Sequence, residues 1–170
     1  MGLRPFREEG PERLILLFAT GCYISYIPVR ILGKKKWSGA GLFGTILAAP
    51  FWLLLPDGPW AYGAVLALAV AAAVWICGRA ETTLGSHDDP RIVLDEVVGL
   101  WTALAFLPKT LPVLALGFLF FRLLDSVKLP PYSWLDRLPG GIGIVGDDLG
   151  AAVIANLLVR ACLGAWGAPA

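Results

Sequence analysis

The sequence predicts an all-α, polytopic membrane helical bundle with a charged site at one membrane surface. Three observations lead there. The 170-residue chain is 57% hydrophobic, and its mean hydropathy of +0.71 exceeds that of ordinary soluble domains. Its few charges cluster between long apolar runs, the pattern of an integral membrane protein. The stretch Ile92 to Lys128 reads as two helices joined by a tight turn at 107–112, and Lys109, in that turn, is the only charge between Glu96 and Arg122.

The length suits one domain, 1–170. A net charge of +1 gives no reason to expect nucleic acid as a partner. Cys22, Cys77 and Cys162 lie far apart in apolar segments, without CxxC or Cys/His spacing, so buried free thiols and no zinc site are expected.

In chain order, residues 1–13 are a polar N-terminal segment, and the apolar run after them lacks a small-residue cleavage site, so no removable signal peptide is expected. Residues 14–37 read as re-entrant or interfacial. A crossing would put the basic N-terminus and the Lys34-Lys35-Lys36 cluster on opposite sides, against the positive-inside tendency. Residues 39–55 form a helix opening with Gly39, Ala40, Gly41 and Gly44, small residues that let helices approach closely in lipid. Pro56-Asp57-Gly58-Pro59 is a turn, Trp60 to Cys77 an uncharged span, and 78–85 a polar exit. Asp89 before Pro90 reads as the N-cap of the first hairpin helix, which runs to about Leu107. The second helix runs from about Leu111 to Lys128, where Pro130 and Pro131 stop it. Residues 132–138 suit a short interfacial helix. Glycine is too frequent between Pro139 and Gly146 for a helix, so a loop is expected, with Asp147 and Asp148 opening a last helix that ends near Trp166.

Hairpin geometry gathers the charges. Asp95 precedes Thr110 by fifteen residues and Asp125 follows it by fifteen, so both fall at one level, roughly 20 Å from the turn at 1.5 Å per residue. His87, Asp88, Asp95, Glu96, Arg122, Asp125, Lys128, Asp147 and Asp148 are thereby expected on one side of the membrane. Oxygen ligands with a single histidine and no cysteine suit a hard cation, Mg2+ first. Asp88, Asp95, Glu96, Asp125, Asp147 and Asp148 are its candidate ligands. Arg122 and Lys128, on one helical face with Asp125, suit a phosphate. Gly140, Gly141 and Gly143 would add backbone N–H groups. This mixture points to phosphoryl transfer to water at a bilayer surface. Structural readings stand beside it: Asp88, Asp89 and one of Asp147 and Asp148 as helix caps, Arg122 paired with Glu96 or Asp95, His87 solvated. A transporter using the same charges as a pathway would place them nearer mid-membrane.

Three motifs carry a resemblance: Gly85-Ser86-His87-Asp88-Asp89-Pro90-Arg91-Ile92-Val93-Leu94-Asp95-Glu96-Val97-Val98-Gly99, then Phe121-Arg122-Leu123-Leu124-Asp125-Ser126-Val127-Lys128, then Gly140-Gly141-Ile142-Gly143-Ile144-Val145-Gly146-Asp147-Asp148. In this order they resemble the phosphatidylglycerophosphatase A family over about the last two thirds of the chain. Departures lie mainly in the N-terminal third, among them the basic insertion at 34–36. The resemblance implies Mg2+-dependent removal of the terminal phosphate of phosphatidylglycerophosphate to give phosphatidylglycerol, in the bacterial inner membrane with the site facing the cytoplasm. It carries over His87, Asp88, Asp95, Glu96, Arg122, Asp125, Lys128, Asp147 and Asp148 as site positions; within them we read His87, Asp88, Asp95, Glu96 and Asp125 as catalytic candidates, the acids on the metal, and Arg122 and Lys128 on phosphate. An inactive homologue that binds anionic lipid is the alternative. The oligomeric state is left open.

Overall fold

The computed structural model describes residues 10–32, 39–86, 88–127 and 132–165. In chain order the helices are α1 (Pro11–Ala19), α2 (Tyr26–Leu32), α3 (Ala40–Leu54), α4 (Pro59–Leu84), α5 (Leu94–Ala103), α6 (Leu111–Val127), a 3-10 turn (Tyr132–Arg137) and α7 (Gly141–Ala165), with no strand among the described residues. Among the described residues, two helices are long and apolar enough to cross a membrane: α4 with 26 residues and α7 with 25. At 1.5 Å per residue each exceeds the hydrocarbon thickness of about 30 Å. α4 turns apolar side chains outward along its length, with Trp60, Leu68 and Trp75 exposed, as a lipid-facing helix does and a soluble core helix does not.

α5 and α6 form the hairpin, and its register follows from interdigitated small and large residues. A Cβ on Gly99 would meet the Phe121 ring at 2.4 Å, and one on Gly117 would meet Leu104 at 2.3 Å. Gly99 and Phe121 each stand eleven residues from Thr110, as an antiparallel pair centred there requires. The turn end is tied down by charge. Lys109 donates to the carbonyls of Leu53 and Leu55 at the end of α3 and pairs with Asp57 at 2.8 Å. Asn156 on α7 donates to the carbonyls of Ala103 and Ala105 at 3.0 Å, and Arg160 donates to those of Ala105 and Phe106. Ala103 ends α5, and Ala105 and Phe106 follow it, so these donors satisfy carbonyls at and just beyond the helix end. α7 packs its small buried residues Ala151, Ala152 and Ala155 against this hairpin.

Several expectations are corrected. The first hairpin helix begins at Leu94, not Pro90, and ends at Ala103. Asp89 caps no helix. It receives the Arg91 guanidinium on both oxygens, at 2.7 and 2.6 Å, in a pair only 1–2% exposed. α4 runs on through the supposed polar exit to Leu84. The glycine-rich stretch is not a loop: α7 starts at Gly141, and Asp147 and Asp148 lie inside the helix rather than at its opening. Glycine's helical cost, about 1 kcal/mol per residue, is offset here by close packing. A Cβ on Gly141 would lie 1.8 Å from the carbonyl oxygen of Val74 and 2.8 Å from the nitrogen of Gly78. Only two glycines let α4 and α7 cross this tightly.

The segment 14–32 is broken: α1 and α2 are nine and seven residues long and flank a turn in which Gly21, Cys22 and Tyr23 take positive φ. It docks on the approach to α5. Val93 N–H donates to Ala19 at 2.8 Å and the Ser25 hydroxyl to the Arg91 carbonyl at 2.6 Å. The basic cluster at 34–36 lies outside the described residues.

Candidate active site

The ends of four helices meet where the hairpin opens. α5 begins there and places Asp95 and Glu96 in its first turn. α7 brings Asp148 up on the same buried stripe as Ala151, Ala152 and Ala155. α6 ends there with Arg122 and Asp125, and α3 begins there with Gly41 touching Glu96 and Arg122.

Asp95, Glu96 and Asp148 each offer a carboxylate oxygen, and the three oxygens lie within 4.8 Å of one another. Asp95 and Asp148 are buried and Glu96 is partly so. One oxygen on each, Asp95 Oδ1, Glu96 Oε2 and Asp148 Oδ2, is enclosed without a hydrogen-bond donor among the described residues. Buried acceptors are nearly always satisfied, and three converging acids repel one another. A cation is the partner that resolves both problems. Three hard oxygen donors from two helices fit a divalent cation.

α5, at ten residues, lies outside the two spans. Burial pushes the Asp95 carboxyl up to about 7. The negative charges of Asp88, Asp147 and Asp125 push the same way, against a hydrogen bond with Glu96. Glu96 is pushed well up, first by burial and then by Asp95, with Arg122 opposing. Both shifts come first from burial and only then from neighbouring negative charge.

The other sequence candidates fall around this triad. Arg122 Nη1 binds Asp125 Oδ2 at 2.8 Å, one helical turn on, and both remain 15–20% exposed. That pair orients the guanidinium, whose Nη1 is itself enclosed. Asp147 is buried beside Asp148. Asp88 is partly buried on a left-handed backbone at φ +48. Gly141 and Gly143 are buried in α7. The Gly143 N–H donates to the Gly140 carbonyl at 3.1 Å, so the open glycine nest expected for an anion is replaced by helix. His87 and Lys128 lie outside the described residues.

Sequence reasoning missed Arg91. It is buried, held by Asp89, lies 5.7 Å from the Tyr26 ring centroid, and supports the turn that leads into Asp95. An arginine two residues from an aspartate carries no signal that separates a buried pair from a solvated one.

The family model described as phosphatidylglycerophosphatase A matches residues 17–163. A phosphatidylglycerophosphatase A from Escherichia coli strain K12 is 40% identical over 117 residues, 67% of this chain and 68% of that protein. One from Haemophilus influenzae is 34% identical over 122 residues, 71% and 74% of the two chains. A Bacteroides thetaiotaomicron protein, provisionally described as a phosphatidylinositol-3-phosphatase, is 30% identical over 149 residues, 79% of this chain and 92% of that one. No solved structure matches.

Proposed function

The chain belongs to the phosphatidylglycerophosphatase A family, and from that premise we propose that it is a Mg2+-dependent phosphomonoesterase that hydrolyses phosphatidylglycerophosphate to phosphatidylglycerol and inorganic phosphate. The observation that carries the reading is the set of three unpartnered carboxylate oxygens on Asp95, Glu96 and Asp148. The relative described as a phosphatidylinositol-3-phosphatase supports a lipid phosphomonoester as the wider substrate class.

Asp95, Glu96 and Asp148 would hold Mg2+, with Asp88, Asp125 and Asp147 close enough to add negative charge. Mg2+ bound there supplies the positive charge that a phosphate needs beside several acids. Arg122, oriented by Asp125, receives the equatorial phosphate oxygens, a task suited to a planar fork of donors. A water attacks phosphorus, the bond to the glycerol oxygen breaks, and the proton lost by water is balanced by the one the glycerol oxygen gains. His87 or one of the carboxylates carries that proton. The charged end of the bundle then belongs at the headgroup level of a multi-pass protein of the bacterial inner membrane, facing the cytoplasm. The exposed Trp75 near the site end of α4 fits an interfacial position.

The test is inorganic phosphate release from phosphatidylglycerophosphate by detergent-purified protein, in Mg2+ and in EDTA. Release that needs Mg2+ supports the reading. Folded protein that releases none from this lipid or from phosphatidylinositol 3-phosphate refutes it.

A further inference from the structure

Two glycines one turn apart lay α3 against the start of α5, and they are not equivalent. A methyl on Gly44 would sit 2.8 Å from Cβ of Val93 and 2.9 Å from its carbonyl oxygen. Gly44 therefore answers to backbone. A methyl on Gly41 would sit 2.1 Å from Glu96 Oε1, 3.0 Å from Glu96 Cδ and 3.1 Å from Arg122 Nη1. These nearest atoms are all side-chain ends. The space above the Gly41 Cα is filled by the Glu96 carboxylate itself, whose Oε2 is one of the three unpartnered oxygens. The Gly41 backbone is also held in place. The buried Thr45 donates its hydroxyl to the Gly41 carbonyl at 2.9 Å, Ala40 is 2% exposed, and Gly39 enters the helix at φ +76.

We propose that Gly41 is a positioning residue for the metal centre. Its missing side chain is the seat of the Glu96 carboxylate, which keeps that carboxylate within reach of Asp95 and Asp148 and beside Arg122. The proposal rests on the triad being a Mg2+ site. Glutamate has three flexible torsions, so the only cheap escape from a methyl at Gly41 is for its carboxylate to swing out of the triad. Stability and metal binding should therefore come apart at Gly41 and not at Gly44.

The experiment is a MgCl2 titration of the thermal midpoint in detergent for wild type, Gly41→Ala and Gly44→Ala. Gly41→Ala is expected to keep a near-wild-type midpoint in EDTA while needing at least about tenfold more Mg2+ for half of its stabilisation, the scale on which ligand-orienting groups act. Gly44→Ala is expected to lower the EDTA midpoint, because it meets the Val93 backbone at the start of α5, and any rise in its Mg2+ requirement comes together with that loss of stability. A wild-type Mg2+ requirement in Gly41→Ala overturns the proposal. If Gly41→Ala does not fold, Gly41→Ala/Glu96→Asp removes the colliding atoms. Folding of that double variant supports the assignment, and its failure to fold overturns it. Wild type that shows no Mg2+ response refutes the metal reading itself, and the proposal with it.

Discussion

Gly141→Ala tests whether the glycine-rich start of α7 exists to bring two helices together. The added Cβ would lie 1.8 Å from the Val74 carbonyl oxygen, where Cβ contacts essentially never fall below 3.0 Å. The helices must open by about 1.2 Å to relieve it, because backbone stands on both sides and no side chain can rotate away. Overpacking of this kind costs roughly 1–3 kcal/mol, and more when backbone must move. Asp148 lies seven residues along α7, about 10 Å by helix rise, so the displacement reaches the triad. Misplacing a catalytic group by about 1 Å costs on the order of 100-fold in rate. The assay is thermal denaturation followed by circular dichroism, with phosphate release measured on the folded fraction. Gly146→Ala is the matched control in the same helix. Its Cβ would meet Leu135 at an ordinary 3.5 Å, so it should be neutral or stabilising by up to about 1 kcal/mol. Gly141→Ala with wild-type midpoint and wild-type rate would refute the crossing argument.

The remaining predictions concern charge. Asp95→Asn abolishes Mg2+-dependent turnover while the protein folds, and its midpoint in EDTA equals or exceeds that of wild type, since one of three repelling acids is gone; retained phosphatase activity would remove Asp95 from the mechanism. The Asp95 carboxyl, raised from 3.8 to about 7, keeps its proton in the metal-free folded protein where the unfolded chain has lost it. Its contribution to stability in EDTA therefore falls as pH rises from about 4 to about 7, read as the difference between wild type and Asp95→Asn across that window. Arg91→Ala strands Asp89 in a fully buried site and should cost about 3–5 kcal/mol; a loss below 1 kcal/mol in chemical denaturation contradicts the pair's structural role. Asn156→Ala removes the side-chain donor to the Ala103 carbonyl and leaves Ala105 with Arg160 alone, and should lower stability by about 1–3 kcal/mol without changing turnover, because it lies at the turn end of the hairpin.

Much of this architecture could be read from residue order because charge is scarce. With one lysine between Glu96 and Arg122, the turn, the hairpin and its register about Thr110 follow from counting. Gly99 against Phe121 realises that count. The beginning of α7 was illegible for the opposite reason. Propensity disfavours a helix through Gly140-Gly141-Ile142-Gly143, and the partners that outweigh it, Val74 and Gly78, lie more than sixty residues away. Asp89 before Pro90 satisfied a capping pattern, yet Arg91 two residues on took the carboxylate. Local chemistry offered both outcomes, and burial under α1 and α2 selected one. The triad was legible only as part of a larger set. Counting placed six acids at one end, but only side-chain geometry separates Asp95, Glu96 and Asp148 from Asp88, Asp125 and Asp147.

The most direct test of the account is calorimetric Mg2+ binding to metal-free wild type and to Asp148→Asn, which removes the one ligand that α7 brings to the α5 pair. Wild type should bind, and Asp148→Asn should lose at least about tenfold in affinity while remaining folded. Equal affinity in the two proteins would contradict the triad as the metal site.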